Sequence, residues 1–193
     1  MRTLSLALIV PVLGVVTVMP QEPSAAKPYD DSDAYQIYSL LLPQEESYSF
    51  AKGTLIIQEE TASNAPVVGA CLDAEVAKRF KVAISDYERS RTKPWLLKRH
   101  FQIEKPYEIV NKETLALFRG HGLDSWDDYY NRYPQSGGWV FLSPIGFNKT
   151  KTQAIVYTGS ICGGLCGRSG FHVLEKVQGQ WKEVPGVTCV TVS

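Results

Sequence analysis

The chain reads as an α+β protein in which N-terminal helices pack on a C-terminal antiparallel β-meander. Three observations predict this. Apolar residues recur at helical spacing over residues 73–90, aromatic residues do the same over 124–133, and from Gly138 onward short β-rich runs alternate with turn residues. Helical patterns first and strand patterns last indicate segregated α and β layers, not an alternating βαβ order.

The first 26 residues read as a signal peptide. Arg2 gives a short positive region, and residues 4–19 are almost wholly apolar but contain Pro11 and Gly14. Such a stretch is shorter than the ~20 residues a spanning helix needs. Ser24-Ala25-Ala26 places small residues for cleavage after Ala26, with an earlier site near Met19 as the alternative. No cysteine precedes Cys71, so no lipobox is present, and the expectation is a secreted or periplasmic protein without a membrane span. Residues 27–193 have the length of one domain.

The elements follow in order. Asp33 is placed to cap a short helix in which Ala34, Ile37, Tyr38 and Leu41 share a face, and Pro43 ends it. Residues 54–58 form a strand without clean alternation, and 61–66 form a polar loop. Over 73–90, Val76, Ala77, Phe80, Ala83, Ile84 and Tyr87 make one buried stripe. Asp73 and Glu75 suit the N-terminus of that helix, and Pro94 blocks its continuation. Residues 107–110 read as a strand and 112–119 as a brief helix before Gly120. Asp124 with Asp127 resembles a capping box, and Trp126, Tyr129, Tyr130 and Tyr133 fall on one face behind it. The meander comprises 139–142, 152–158, 171–177, 180–184 and 187–192. In 152–158, Ala154, Val156 and Thr158 oppose Ile155 and Tyr157.

Net charge is zero, which excludes a global pull toward nucleic acid, and no nucleic-acid partner is expected. The charge is uneven, however. Residues 30–60 carry Asp30, Asp31, Asp33, Glu45, Glu46, Glu59 and Glu60 against Lys52 alone, whereas 78–105 are strongly basic. The two segments can face each other or be solvated separately, or the basic one can meet an anionic ligand.

Four cysteines in an exported chain favour disulfides, with three possible connectivities. Pairing Cys162 with Cys166 closes a very short loop and leaves Cys71 to Cys189. The segment 157–171, with five glycines and two cysteines, is then a stapled loop at a sheet end whose glycines supply positive φ angles. A phosphate cradle there lacks both the dinucleotide spacing and a following Lys-Ser/Thr. A four-cysteine zinc site has admissible spacing but conflicts with an oxidising compartment. No cofactor or metal is expected.

Catalytic signatures are equally absent: there is no Gly-x-Ser-x-Gly and no His-Glu-x-x-His. His172 follows Cys166 by six residues and could sit across the loop, while His100 and His121 have no patterned partner. Asn148-Lys149-Thr150 has the form of a glycosylation sequon. The candidate binding residues are therefore Arg168 and His172 around the loop, and Trp126 and Tyr130 on the aromatic face, where rings could stack on a sugar. The expected function is a non-enzymatic binding module for a small ligand, a glycan or an envelope protein. An extracytoplasmic hydrolase or thiol enzyme without a readable motif is the alternative.

Trp126, the run Tyr133-Pro134-Gln135-Ser136-Gly137-Gly138, then Ser143-Pro144-Ile145-Gly146-Phe147-Asn148 and Cys162-Gly163-Gly164-Leu165-Cys166-Gly167, resemble a family of uncharacterised exported bacterial proteins. The resemblance covers Trp126 to Trp181 and implies export but no activity.

Overall fold

The computed structural model describes residues 26–45, 53–119, 124–187 and 189–192. The segment expected to be a signal peptide, all but its last residue Ala26, and His121 therefore lie outside the described residues. In chain order the elements are β1 (Lys27–Pro28), α1 (Ser32–Glu45), β2 (Leu55–Gln58), α2 (Ala74–Arg79), α3 (Lys81–Ser90), β3 (Trp95–Leu96), β4 (Tyr107–Val110), α4 (Lys112–Ala116) and α5 (Asp124–Arg132). They continue with β5 (Trp139–Leu142), β6 (Gly146–Phe147), β7 (Gln153–Gly163), β8 (Cys166–Val177), β9 (Gln180–Glu183) and β10 (Val190–Val192). The fold is mixed α/β and is built on a large, mostly antiparallel sheet.

The sheet runs β10-β8-β7-β5-β2-β4, with β6 added beside β7 and β9 beside β8. Two features depart from a C-terminal meander. β2 and β4 extend the sheet by parallel pairing, β2 lying parallel to both β4 and β5. β10 does not pair with β9 but returns to the other half of β8, Val190 opposite Gly170 and Val192 opposite Arg168. β8 is long enough to hold β10 along one half and β9 along the other.

Both faces of the sheet are covered, which explains why β2 shows no alternation: all four of its residues are buried. Leu55 and Ile57 join Val140, Leu142, Ala154, Val156, Leu174 and Trp181 beneath α1, whose Ala34, Ile37, Tyr38, Leu41 and Leu42 are fully buried. On the opposite face, Phe80, Ala83 and Tyr87 pack on Ile155, Phe171 and Val173. Leu115, Phe118, Tyr129 and Tyr133 pack beside them on Ile56 and Trp139. The stripes over 73–90 and 124–133 thus do share one face of the sheet, and α1 takes the other.

Three local expectations are corrected. The cap of α1 is Asp31, whose Oδ1 accepts from the Asp33 and Ala34 amides at 3.1 and 3.3 Å. Asp33 already lies in the first turn, and α1 runs through Pro43 to Glu45 because a proline in the last turn removes only one ladder hydrogen bond. The helix expected over 73–90 is two, broken at Phe80 (φ −99°, ψ 11°), a ring buried completely against the sheet. Asp73 caps the first, accepting from the Glu75 and Val76 amides at 3.0 and 2.9 Å. The capping box expected at Asp124 involves a side chain outside the described set.

Candidate functional site

The segment expected to be a loop is mostly strand. β7 and β8 continue pairing to Gly163 opposite Cys166, leaving only Gly164 and Leu165 as the turn. A bulge between Ile161 and Gly163 sets Cys162 out of register, and Cys162 is bridged to Cys166 with their Cα atoms 5.0 Å apart. Cys71 is bridged to Cys189, Cα atoms 5.6 Å apart, which fastens the turn before α2 to the start of β10. All four cysteines are consumed in these two disulfides, so they form no zinc site and offer no free thiol.

The glycines do not serve as expected. None of those in the hairpin has positive φ; among the described residues the glycines that do are Gly69, Gly138, Gly179 and Gly186. Gly159 and Gly170 are needed for close approach instead. A Cβ on Gly159 would lie 2.5 Å from the Phe141 ring, and one on Gly170 would lie 2.6 Å from the Cys189 carbonyl oxygen.

An aromatic block stands behind the hairpin. Trp126 stacks on Trp139 with ring centroids 4.9 Å apart and planes 8° apart, and Tyr129 sits edge-on to Phe118 at 5.4 Å. Tyr129 and Tyr133 are core, while Trp126 and Tyr130 remain half-buried. The Tyr130 hydroxyl donates to the Cys162 carbonyl at 2.8 Å, so α5 grips the hairpin beside its staple. Desolvation pushes the Tyr129 hydroxyl well above the ordinary tyrosine range.

The four candidate binding residues fall into two pairs. Trp126 and Tyr130 lie on the α5 face, beside Trp139 and Ile161. Arg168 and His172 lie an even number of residues from Leu174 on β8 and so share its α1 face, about 13 Å from each other along the strand. Arg168 is flanked by strands on both sides, Ser160 in β7 and Val192 in β10, and is not a loop residue. His172 Nδ1 lies 2.6 Å from Glu183 Oε1. That hydrogen bond, outweighing the effect of burial, holds the Glu183 carboxyl below its usual range.

Two cavities border the α3 pack. A broad cleft of about 740 Å³ lies along α3 and has Trp95 and Phe147 in its walls. It gathers Lys81 and Arg89 of the basic segment with Lys149 and Lys151. Arg89 is paired with Asp86 at 2.8 Å and Lys151 with Asp31 at 2.7 Å. The sequon residue Asn148 is occupied structurally, its Oδ1 accepting from the Thr152 and Gln153 amides at 2.8 and 3.1 Å. A smaller cavity of about 410 Å³ lies between the α3 pack and the α4–α5 pack, with Phe141 and Tyr157 in its lining. Neither cavity is lined by His172. Sequence reasoning missed both, because each joins segments far apart in the chain. No helix among the described residues is long and apolar enough to cross a membrane. Comparison with protein-family models, with curated proteins and with solved structures found no match to this chain.

Proposed function

We propose that the protein is an exported, non-enzymatic binding module that uses the stapled β7–β8 hairpin as its recognition edge. The observation that carries this reading is Leu165, a large apolar side chain 94% exposed at the tip of a crosslinked hairpin. A leucine held in water at a rigid apex forgoes about 1.5–3 kcal/mol of burial, which contact with a partner would recover. Rigidity is supplied by the Cys162–Cys166 bridge and by Tyr130, so the tip loses little freedom on docking. The tip's turn neighbour Gly164 has open space around it, and a partner can approach its backbone closely. Two disulfides fit an oxidising, extracytoplasmic setting.

For the alternative, every thiol is bridged, which leaves a thiol enzyme without a nucleophile, and a hydrolase would draw on the His172–Glu183 pair among the described residues. A carboxylate that orients an imidazole is part of such chemistry, but the pair lines neither cavity where a substrate would sit.

The test is site-specific photocrosslinking in the native extracytoplasmic fraction. A benzophenone side chain at position 165 should yield a discrete adduct. The same group at the exposed Lys182 should not, and Leu165→Ser should compete poorly against the labelled protein for that adduct. Equal labelling at 165 and 182, or no adduct at 165, would remove the hairpin from recognition.

A further inference from the structure

We propose that the smaller cavity binds a small acidic sugar. The ring's C–H face would lie on Phe141 and Tyr157, its carboxylate or phosphate at Lys112 and Arg119, and its hydroxyls on the amide of Gln58. This site is separate from the hairpin tip and does not rest on the recognition reading.

Its placement follows from topology. β2 and β4 are parallel, so their carboxyl ends, Gln58 and Val110, open on the same edge of the sheet. The cavity gathers Gln58 itself, the loop that follows β2, and Lys112, two residues beyond β4. In open α/β sheets ligands bind in the crevice outside the carboxyl ends of the strands, where the following segments diverge and leave space. The parallel pair β2–β4 provides that local geometry within this mostly antiparallel sheet. Here the space is bounded by the α3 pack on one side and the α4–α5 pack on the other, over a sheet surface that neither covers fully.

The floor of that space is aromatic. Phe141 and Tyr157 are half-buried, with ring centroids 6.0 Å apart and planes 41° apart. Half-buried rings in a concavity offer a flat apolar surface that matches the C–H face of a pyranose.

The electrostatics select an anion. Among the described residues, Lys112 and Arg119 are the charged side chains in the lining, both are positive, and no carboxylate lines the cavity. Arg119 is also positioned in advance. Phe118 beside it is buried against Tyr129 and Tyr133, and the Arg119 guanidinium carbon lies 5.7 Å from the centroid of the Trp139 ring. Such a ring contact orients the guanidinium without neutralising it, leaving its fork of donors for an oxyanion. The third requirement, a fixed polar group for hydroxyls, is met by Gln58. It is only 7% exposed, and its Nε2 donates to the Glu60 carbonyl at 2.8 Å, which locks the amide and leaves Oε1 as an acceptor. The volume of about 410 Å³ lies in the range of small-molecule sites and suits one or two sugar rings.

The experiment is isothermal titration of the mature protein at low salt with digalacturonate, glucose 6-phosphate, glucose and inorganic phosphate. At least one acidic sugar should bind with a Kd of about 1 mM or tighter. Glucose should bind at least about tenfold more weakly, for want of the charge, and inorganic phosphate likewise, for want of the ring. Digalacturonate against glucose 6-phosphate decides between carboxylate and phosphate. Lys112→Gln with Arg119→Gln, both exposed and tolerable to the fold, should weaken binding about tenfold or more, while Leu165→Ser should not change it. No binding by either acidic sugar overturns the proposal, as does binding that survives the double variant. Inorganic phosphate binding as well as the sugar phosphate would reduce the site to an anion hole and overturn it too.

Discussion

Asp33 Oδ1 accepts a hydrogen bond from the Trp181 indole Nε1 at 2.9 Å and another from Lys176 Nζ at 2.5 Å. A carboxylate in the first turn of α1 therefore clamps β8 and β9, and with them the base of the hairpin whose far end is stapled. Burial alone would raise the Asp33 carboxyl, but the bonds from Lys176 and Trp181 outweigh it and hold the group below its ordinary value. The sign of the pH dependence follows. A depressed folded-state pKa contributes stability that is fully present above the unfolded value of ~3.9 and is lost as pH falls through the folded value. Asp33→Asn should cost about 2 kcal/mol near neutrality, the scale of hydrogen bonds to a charged group. Urea titration should show that difference shrink as the pH falls from the unfolded value of ~3.9 through the lower folded value. A pH-independent difference would mean that Asp33 acts by shape alone.

Gly146 sets how closely α3 sits on the sheet. A Cβ there would lie 2.3 Å from the Ala83 carbonyl oxygen and 2.4 Å from the Tyr87 amide nitrogen, both backbone atoms that no rotamer change can move. Gly146→Ala must therefore lift α3 from β6, loosening Ala83 and Tyr87, which are fully buried. The expected cost is about 3 kcal/mol, at the upper end for overpacking, read as a lowered urea midpoint with an unchanged slope. A loss below about 1 kcal/mol would show that α3 can ride up freely.

What could be read from the sequence was set by local chemistry. The strand at 139–142, the alternation of Ala154 and Val156 against Ile155 and Tyr157, and the tight turn at Gln178-Gly179 stand as expected, the turn with φ of 52° and 82°. The side-chain stripes of Phe80, Ala83 and Tyr87, and of Tyr129 and Tyr133, were legible because burial on one face repeats at helical spacing. What stayed hidden was non-local. Nothing in Leu55-Ile56-Ile57 says that its partners are Tyr107 to Ile109 and Trp139-Val140, in parallel. Gly159 and Gly170 looked like turn residues because glycine's two uses, positive φ and close approach, leave the same letter in a sequence. The same holds for the candidate site. Trp126 and Tyr130 were visible as a stripe, whereas Gln58, Arg119 and Phe141 become neighbours only through the sheet order.

The two disulfides should behave oppositely when removed. Cys71–Cys189 spans 118 residues, and the chain-entropy relation assigns such a loop about 5 kcal/mol; Cys162–Cys166 spans 4, for which it gives about 2 kcal/mol. The short bridge is further backed by ten register pairs between β7 and β8 and by the bond from Tyr130 to the Cys162 carbonyl, all of which survive reduction. The long bridge has less support. β10 is a three-residue edge strand, all of it exposed, and Cys189 itself is packed in the cluster around Phe171 and Val173. Cys71→Ser with Cys189→Ser should therefore lower stability by several kcal/mol and release β10, visible as fast amide exchange at Phe171, whose N–H donates to the Cys189 carbonyl at 2.9 Å. Cys162→Ser with Cys166→Ser should leave the Tm within a few degrees of the parent and speed exchange only near the tip, while weakening the crosslink at position 165. A large stability loss from the short-bridge variant would make that staple structural, and the hairpin's rigidity would then need no partner to explain it.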